Sequence, residues 1–231
     1  MILVDTSKKQ CSIGAASSRN CRSNYHPLDI EWKDTLDFSL GERDTDVLHI
    51  IGEEGLTSFT FEGLKRRLGV HSETLSRVLF RLEEEGIVEK GSGGYRVTAK
   101  AKELLRLHQL SQTEPRIPLL QTLISPDVPI QQVVSDLTGK WFGVLRWLGY
   151  SENEEGITLK WVTEDGGIQV DANFSDGSLS IETKLLREKD FNNALKASYQ
   201  LIGYIAKLYS KLGRIQRVAY FTAFNTGFMA S

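Results

Sequence analysis

The chain is poor in the residues that most chemistry needs. Its 231 residues include two cysteines, four histidines and two methionines. Cys11 and Cys21 do not make a disulfide framework. With His26 they fall one ligand short of a metal site and lack a CxxC spacing, so they read as free thiols. The histidines His26, His49, His71 and His108 are scattered, and none has a partner at ligand spacing. No GxSxG, P-loop or dinucleotide fingerprint is present. The expectation is therefore no catalytic residue, no metal, no cofactor and no enzyme activity. Long apolar runs are missing too. No stretch approaches the roughly 20 apolar residues of a membrane span. Met1-Ile2-Leu3-Val4 is too short for a signal-peptide core, and no basic residue precedes it. A cytoplasmic protein without a membrane partner is expected. A net charge of −2 excludes a generally basic, nucleic-acid-coating surface. The 40% apolar and 25% charged residues are ordinary for a globular chain.

What is there is concentrated between Asp44 and about Leu107. Val47, Leu48 and Ile51 form the apolar stripe of a helix from Asp44 to about Glu53, followed by an extended piece, Leu56 to Phe59. Thr60 is a candidate N-cap for a helix over Phe61 to Leu68, with Phe61, Leu64 and Leu68 inward. Gly69-Val70 makes the corner, since glycine takes the positive φ of a tight turn. Ser72 is expected to cap a third helix to Glu85, with Leu75, Val78, Leu79 and Leu82 inward and Glu73, Thr74, Ser76, Arg77, Phe80 and Arg81 outward. Gly86 stops it. Ile87 to Lys90, Gly91 to Gly94 and Tyr95 to Thr98 read as strand, turn, strand. A fourth helix from Thr98 carries Leu104, Leu105 and Leu107. The whole reads as a winged helix-turn-helix.

The runs FEGLKRRLGVHSETLSRVLFRLEEEGIVEK and GYRVTAKAKELL resemble winged-helix transcriptional regulators of the MarR and ArsR type, especially archaeal ones. The resemblance covers a quarter to a third of the chain. It implies a recognition helix, Ser72 to Glu85, in the DNA major groove, with Ser72, Thr74, Ser76 and Arg77 on bases or phosphates. It also implies a wing, Lys90 to Arg96, near the backbone. Phe80 departs from the family, where a polar residue is commoner.

Charge supports this locally. From Gly63 to Arg81 five cations (Lys65, Arg66, Arg67, Arg77, Arg81) face one acid, Glu73, for a net +4. Across Glu42 to Leu110, 11 basic and 12 acidic residues leave the module at −1, whereas a DNA binder usually shows a basic footprint.

The flanks divide as follows. Residues 1–41 read as an arm: polar from Ser7 to Asn24, then alternating at Leu28, Ile30 and Trp32 and at Leu36, Phe38 and Leu40. Residues 111–129 read as a linker broken by Pro115, Pro118, Pro126 and Pro129, with a short apolar helix possible over Leu119 to Ile124 and a domain boundary near it. Ile130 to Tyr150 reads as one helix stopped at Gly149. Ile157 to Thr163, Ile168 to Phe174 and Leu179 to Leu185 read as an antiparallel meander. A long helix from Glu188 to Leu212 follows, then β character over Arg217 to Phe224. The aromatics Trp141, Phe142, Trp147, Trp161 and Tyr204 read chiefly as core, with a ligand pocket between sheet and helix as the alternative.

The expected architecture is thus α+β: an arm (1–41), a winged helix-turn-helix domain (42–110), a linker (111–129) and a C-terminal α+β dimerisation or sensor domain (130–231). The expected function is a homodimeric transcriptional regulator of double-stranded DNA, open to a small-molecule effector. Ser72, Thr74, Ser76, Arg77 and Arg81 would read the site, with Lys65, Arg66, Arg67, Lys90 and Arg96 near phosphates. The alternative is a winged-helix adaptor docking on a protein of a transcription or chromosome-maintenance assembly, favoured by the −1 module and Phe80.

Overall fold

A computed structural model describes residues 41–106, 116–124, 128–175, 177–186 and 191–211. The N-terminal arm with Cys11, Cys21 and His26, His108, the end of the fourth helix at Leu107 and the run 217–224 lie outside the described residues. The described residues hold six helices and one eight-stranded antiparallel sheet, an α+β architecture, and all fall within one compact unit, 38–231.

The first half follows its apolar spacing. Helix α1 (Glu42–Glu53) buries Val47, Leu48 and Ile51. Strand β1 is Ser58–Phe59. Helix α2 (Phe61–Leu68) is capped by Thr60, whose hydroxyl accepts from the Gly63 amide at 3.1 Å. Gly69 turns the chain at φ 69°, and Val70 is half-buried at the corner. Helix α3 (Ser72–Glu84) buries Leu75, Val78, Leu79 and Leu82. Its N-cap is His71, not Ser72. The imidazole Nδ1 accepts from the Glu73 amide at 3.4 Å, one residue earlier than a hydroxyl cap was expected. Past its end, Gly86 (φ 68°) donates to Glu83 O and Ile87 donates to Leu82 O. This pair of bonds satisfies the last carbonyls of the helix. Strands β2 (Val88–Gly91) and β3 (Gly94–Val97) form the expected hairpin, and α4 spans Ala99–Arg106.

The second half departs from expectation in two places. Residues 117–123 are a strand, β4 (Ile117–Leu123), not a short helix. Pro118 is tolerated because β4 lies at the edge of the sheet and its register shifts between Pro118 and Leu120. The single helix expected over 130–150 is instead α5 (Ile130–Leu137) followed by β5 (Leu145–Asn153). Gly149 does not stop a helix. It lies inside β5, opposite Phe59 of β1. The meander is β6 (Gly156–Thr163), β7 (Ile168–Ser175) and β8 (Ser178–Leu185), and α6 (Phe191–Lys211) follows.

The strand order is β2-β3-β1-β5-β6-β7-β8-β4. Two-residue β1 is the splice, since it pairs with β3 on one side and β5 on the other. One sheet therefore runs from the hairpin through both halves of the sequence. Its two faces differ, as strand alternation requires. One face carries Leu159, Trp161, Val170, Ala172, Phe174, Leu179 and Ile181, and α5 and α6 cover it with Val133, Leu137, Leu201 and Ile205. The other face carries Lys160, Gln169, Asp171, Glu182 and Lys184.

Candidate nucleic-acid interface

The outward side of α3 is the open surface of the N-terminal half. Ser76, Arg77, Phe80, Glu83 and Glu84 are exposed, and Ser72 and Thr74 are half-buried. Lys90 and Arg96 are exposed on the hairpin. The ten residues singled out from the sequence fall into three groups.

The first is polar surface, exposed at Ser76 and Lys90 and half-buried at Ser72 and Thr74. In the second, cations that are exposed (Arg77, Arg81, Arg96) or half-buried (Lys65, Arg66) have a carboxylate beside them. Arg77, 72% exposed, pairs with Glu73 one turn back. Lys65 and Arg66 both lie 3.6 Å from Glu62, and Arg96 is 3.9 Å from Glu89. Arg81 is held more firmly. Its Nε donates to both oxygens of Asp44, at 3.0 and 3.2 Å, and a second nitrogen also bonds Oδ1. Burial pushes the Asp44 carboxyl up, but the hydrogen bonds from Arg81 and from the Gly41 amide outweigh it and hold the group below the usual range. In the third group is Arg67 alone. Its side chain is 8% exposed and points inward, 3.2 Å from Glu54 and 3.2 Å from the Gln169 amide oxygen. It does not reach the surface where a phosphate would lie.

Arg67 belongs to a buried ion cluster that the sequence reading missed. Glu54, the C-cap of α1, sits against the polar face of the sheet. Lys160 lies 3.3 Å from Glu54 and 3.1 Å from Asp171, and Lys184 lies 2.9 Å from Glu54. Gln169 donates to Glu54 at 2.7 Å and to Asp171 at 2.9 Å. Arg116 bridges Asp171 and Glu182 at 3.6 and 3.5 Å. Burial alone would raise the Glu54 carboxyl, but Lys160, Lys184 and Arg67 hold it far below the ordinary carboxylate range. Burial alone would lower the Lys160 ammonium, but Asp171 and Glu54 raise it above its ordinary value. The signal for this cluster was in the sequence. Each of three successive strands carries a charge on one face, and cross-strand register aligns Lys160 with Asp171 and Asp171 with Glu182.

Beside the cluster is a cavity of about 850 Å³, lined among others by Glu54, Lys102, Arg116, Lys160, Asn173 and Lys184. The aromatic group weighed as a pocket is packed instead. Ring centroids of Phe142–Trp161, Trp147–Trp161 and Phe142–Tyr204 are 5.6, 5.3 and 5.2 Å apart. Trp141 is the exception, exposed under the Arg146 guanidinium.

Among the described residues no group of three or more His, Cys, Asp or Glu side chains is placed to hold a metal, and no helix is long and apolar enough to cross a membrane. No protein-family model and no curated protein matches the chain.

Proposed function

We propose that the chain is a DNA-binding regulator that lays α3 in the major groove and the β2–β3 hairpin against the adjoining backbone, as a winged helix-turn-helix. One observation carries the reading. The helix after the Gly69 corner leaves its outward side open, with Ser76 and Arg77 exposed and Ser72 and Thr74 at its first turn, while α2 behind it is pinned to the sheet through Arg67. A helix offered to a groove must be both open and rigidly held, because the docking element itself carries the base contacts.

In this reading Arg77 makes a bidentate contact to guanine, worth about 1–3 kcal/mol of discrimination, once a phosphate or base edge replaces Glu73. Lys65, Arg66, Lys90 and Arg96 contact phosphates, which set register without reading sequence. Arg67 is dropped from the contact set. Two copies would match two half-sites one helical turn apart, and a solution mass of one 26.0 kDa chain would count against that pairing.

The test is anisotropy of a fluorescent mixed-sequence duplex at two salt concentrations. Each neutralised phosphate adds about −0.9 to the log–log slope, so binding should weaken steeply with salt, and Arg77→Ala should relax sequence selection. Phe80, 61% exposed on the same helix, favours a second reading, an adaptor that docks α3 on a protein. Folded chain that binds no duplex at low salt would favour that adaptor.

A further inference from the structure

We propose that a notch between the first turn of α1 and the first turns of α3 is a seat for one DNA phosphodiester, with Arg43 as its main contact. The inference rests on the duplex-binding reading and names a contact outside the recognition helix and hairpin. The notch is about 220 Å³, lined by Arg43, Glu73, Thr74, Arg77, Val78 and Arg81. A second dent of about 290 Å³, sharing Arg43, Thr74 and Val78 and lined also by Asp46, reaches His71 at the head of α3.

Three arginines and a threonine line it, and the states of the arginines differ in a useful way. Arg81 is fixed by the buried Asp44, which also accepts from the Gly41 amide. It forms a set wall that needs no reordering when an anion arrives. Arg77 is paired with Glu73, the one carboxylate lining the notch, in an exposed contact. Arg43 is exposed and has no carboxylate partner among the described residues. Planar guanidinium forks suit phosphate oxygens better than any other side chain. An anion at Arg43 shares the notch with Arg81 and leaves Arg77 to the base edge; parting Arg77 from Glu73 costs only a solvent-screened pair. Arg43 stands on α1, beside the recognition helix and not on it. The anion it meets is therefore backbone flanking the groove, and its contact positions the helix without reading a base.

The experiment uses the full chain, a fluorescent mixed-sequence duplex and a salt series, with Arg43→Ala and Glu73→Gln beside the wild type. Losing one phosphate contact should weaken binding and make the log–log slope shallower by about 0.9, so that over a roughly fourfold rise in salt Arg43→Ala loses about threefold less affinity than wild type does. The loss should be equal for all sequences, and Glu73→Gln should bind more tightly than wild type. If the wild type binds and Arg43→Ala keeps its slope, the notch is not a seat and the duplex-binding reading survives. If the wild type binds no duplex, both fail together. A parallel titration with inorganic phosphate separates the sources. Saturable phosphate binding lost in Arg43→Ala, with an unchanged DNA slope, would make the notch a free-anion site and overturn the proposal.

Discussion

At the scale of single residues, two positions decide how the halves meet. Glu54 is fully buried, yet three cations surround it. The net value of such a cluster is small, because taking charges out of water nearly cancels their attraction. Breaking it is another matter, since the partners left behind stay buried and uncompensated. Glu54→Gln keeps the shape and removes the charge, leaving Lys160, Lys184 and Arg67 to share Glu53 and Asp171. We expect a loss of about 3–5 kcal/mol, read as a lower urea midpoint with unchanged slope; an unchanged midpoint would mean that water already screens the cluster. Gly63 is decisive through space. A Cβ there would lie 2.6 Å from Leu148 Cα and 2.7 Å from Trp147 O, both backbone atoms that cannot turn aside. Gly63→Ala gains about 1 kcal/mol of helix propensity but forces α2 off β5. Overpacking of this kind costs about 1–3 kcal/mol, so the melting temperature should fall; a rise would show that α2 is free to lift. Exchange of α3 amides should stay near wild type if the damage is confined to the α2–β5 contact.

At the scale of elements, legibility followed whether one period dominated. Helices α1 and α3 each present one buried stripe, α2 buries Leu64 between half-buried Phe61 and Leu68, and capping and glycine chemistry marked their ends, so their bounds were readable to within a residue or two. Strands β6, β7 and β8 alternate because one face is apolar and the other mostly polar or charged, with Val162 the exception. The failures share a cause. Strand β5 is buried on both faces, with Trp147 in the main core and Leu148 under α2. Its first half, LRWLGY, puts apolar residues at both odd and even positions, a pattern that a helix and a doubly covered strand produce alike. Strand β4 was hidden by its prolines, because an edge strand with a shifted register tolerates what a central strand cannot. For the candidate interface, sequence placed Ser72, Thr74, Ser76 and Arg77 on the outward side of a helix, where they lie. It could not separate Arg67 from Lys65 and Arg66. The three are consecutive cations, and only the arrival of Gln169 and Glu54 from distant segments turns one of them inward. Arg43 was passed over for the same reason: its neighbours in the notch come from α3, thirty residues on.

At the scale of the whole molecule, the sheet has an oily side and a polar, charged side, and α1 and α2, against which α3 packs, are fastened to the charged side. Stability and the rigidity of the proposed interface should therefore share a pH dependence. The Glu54 carboxyl is held far below its ordinary value in the folded chain, while an unfolded glutamate titrates near about 4.3. Its contribution is complete above that value and is lost as pH falls below it, because the unfolded chain then binds a proton that the folded chain refuses. Asp44 acts in the same direction. Lys160, raised in the folded chain, contributes fully below about 10.4 and loses its contribution only in strong alkali. The chain should thus show a broad stability plateau through neutral pH and a steep decline below about pH 5. In Glu54→Gln the plateau should be lower and the acid decline shallower, since one of the protons that drives it has been removed. Urea midpoints measured across pH for the two proteins check this. Parallel acid limbs would show that Glu54 does not carry the linkage, and the fastening of α1 and α2 to the sheet would then rest on Gly63, Leu148 and the apolar contacts around them.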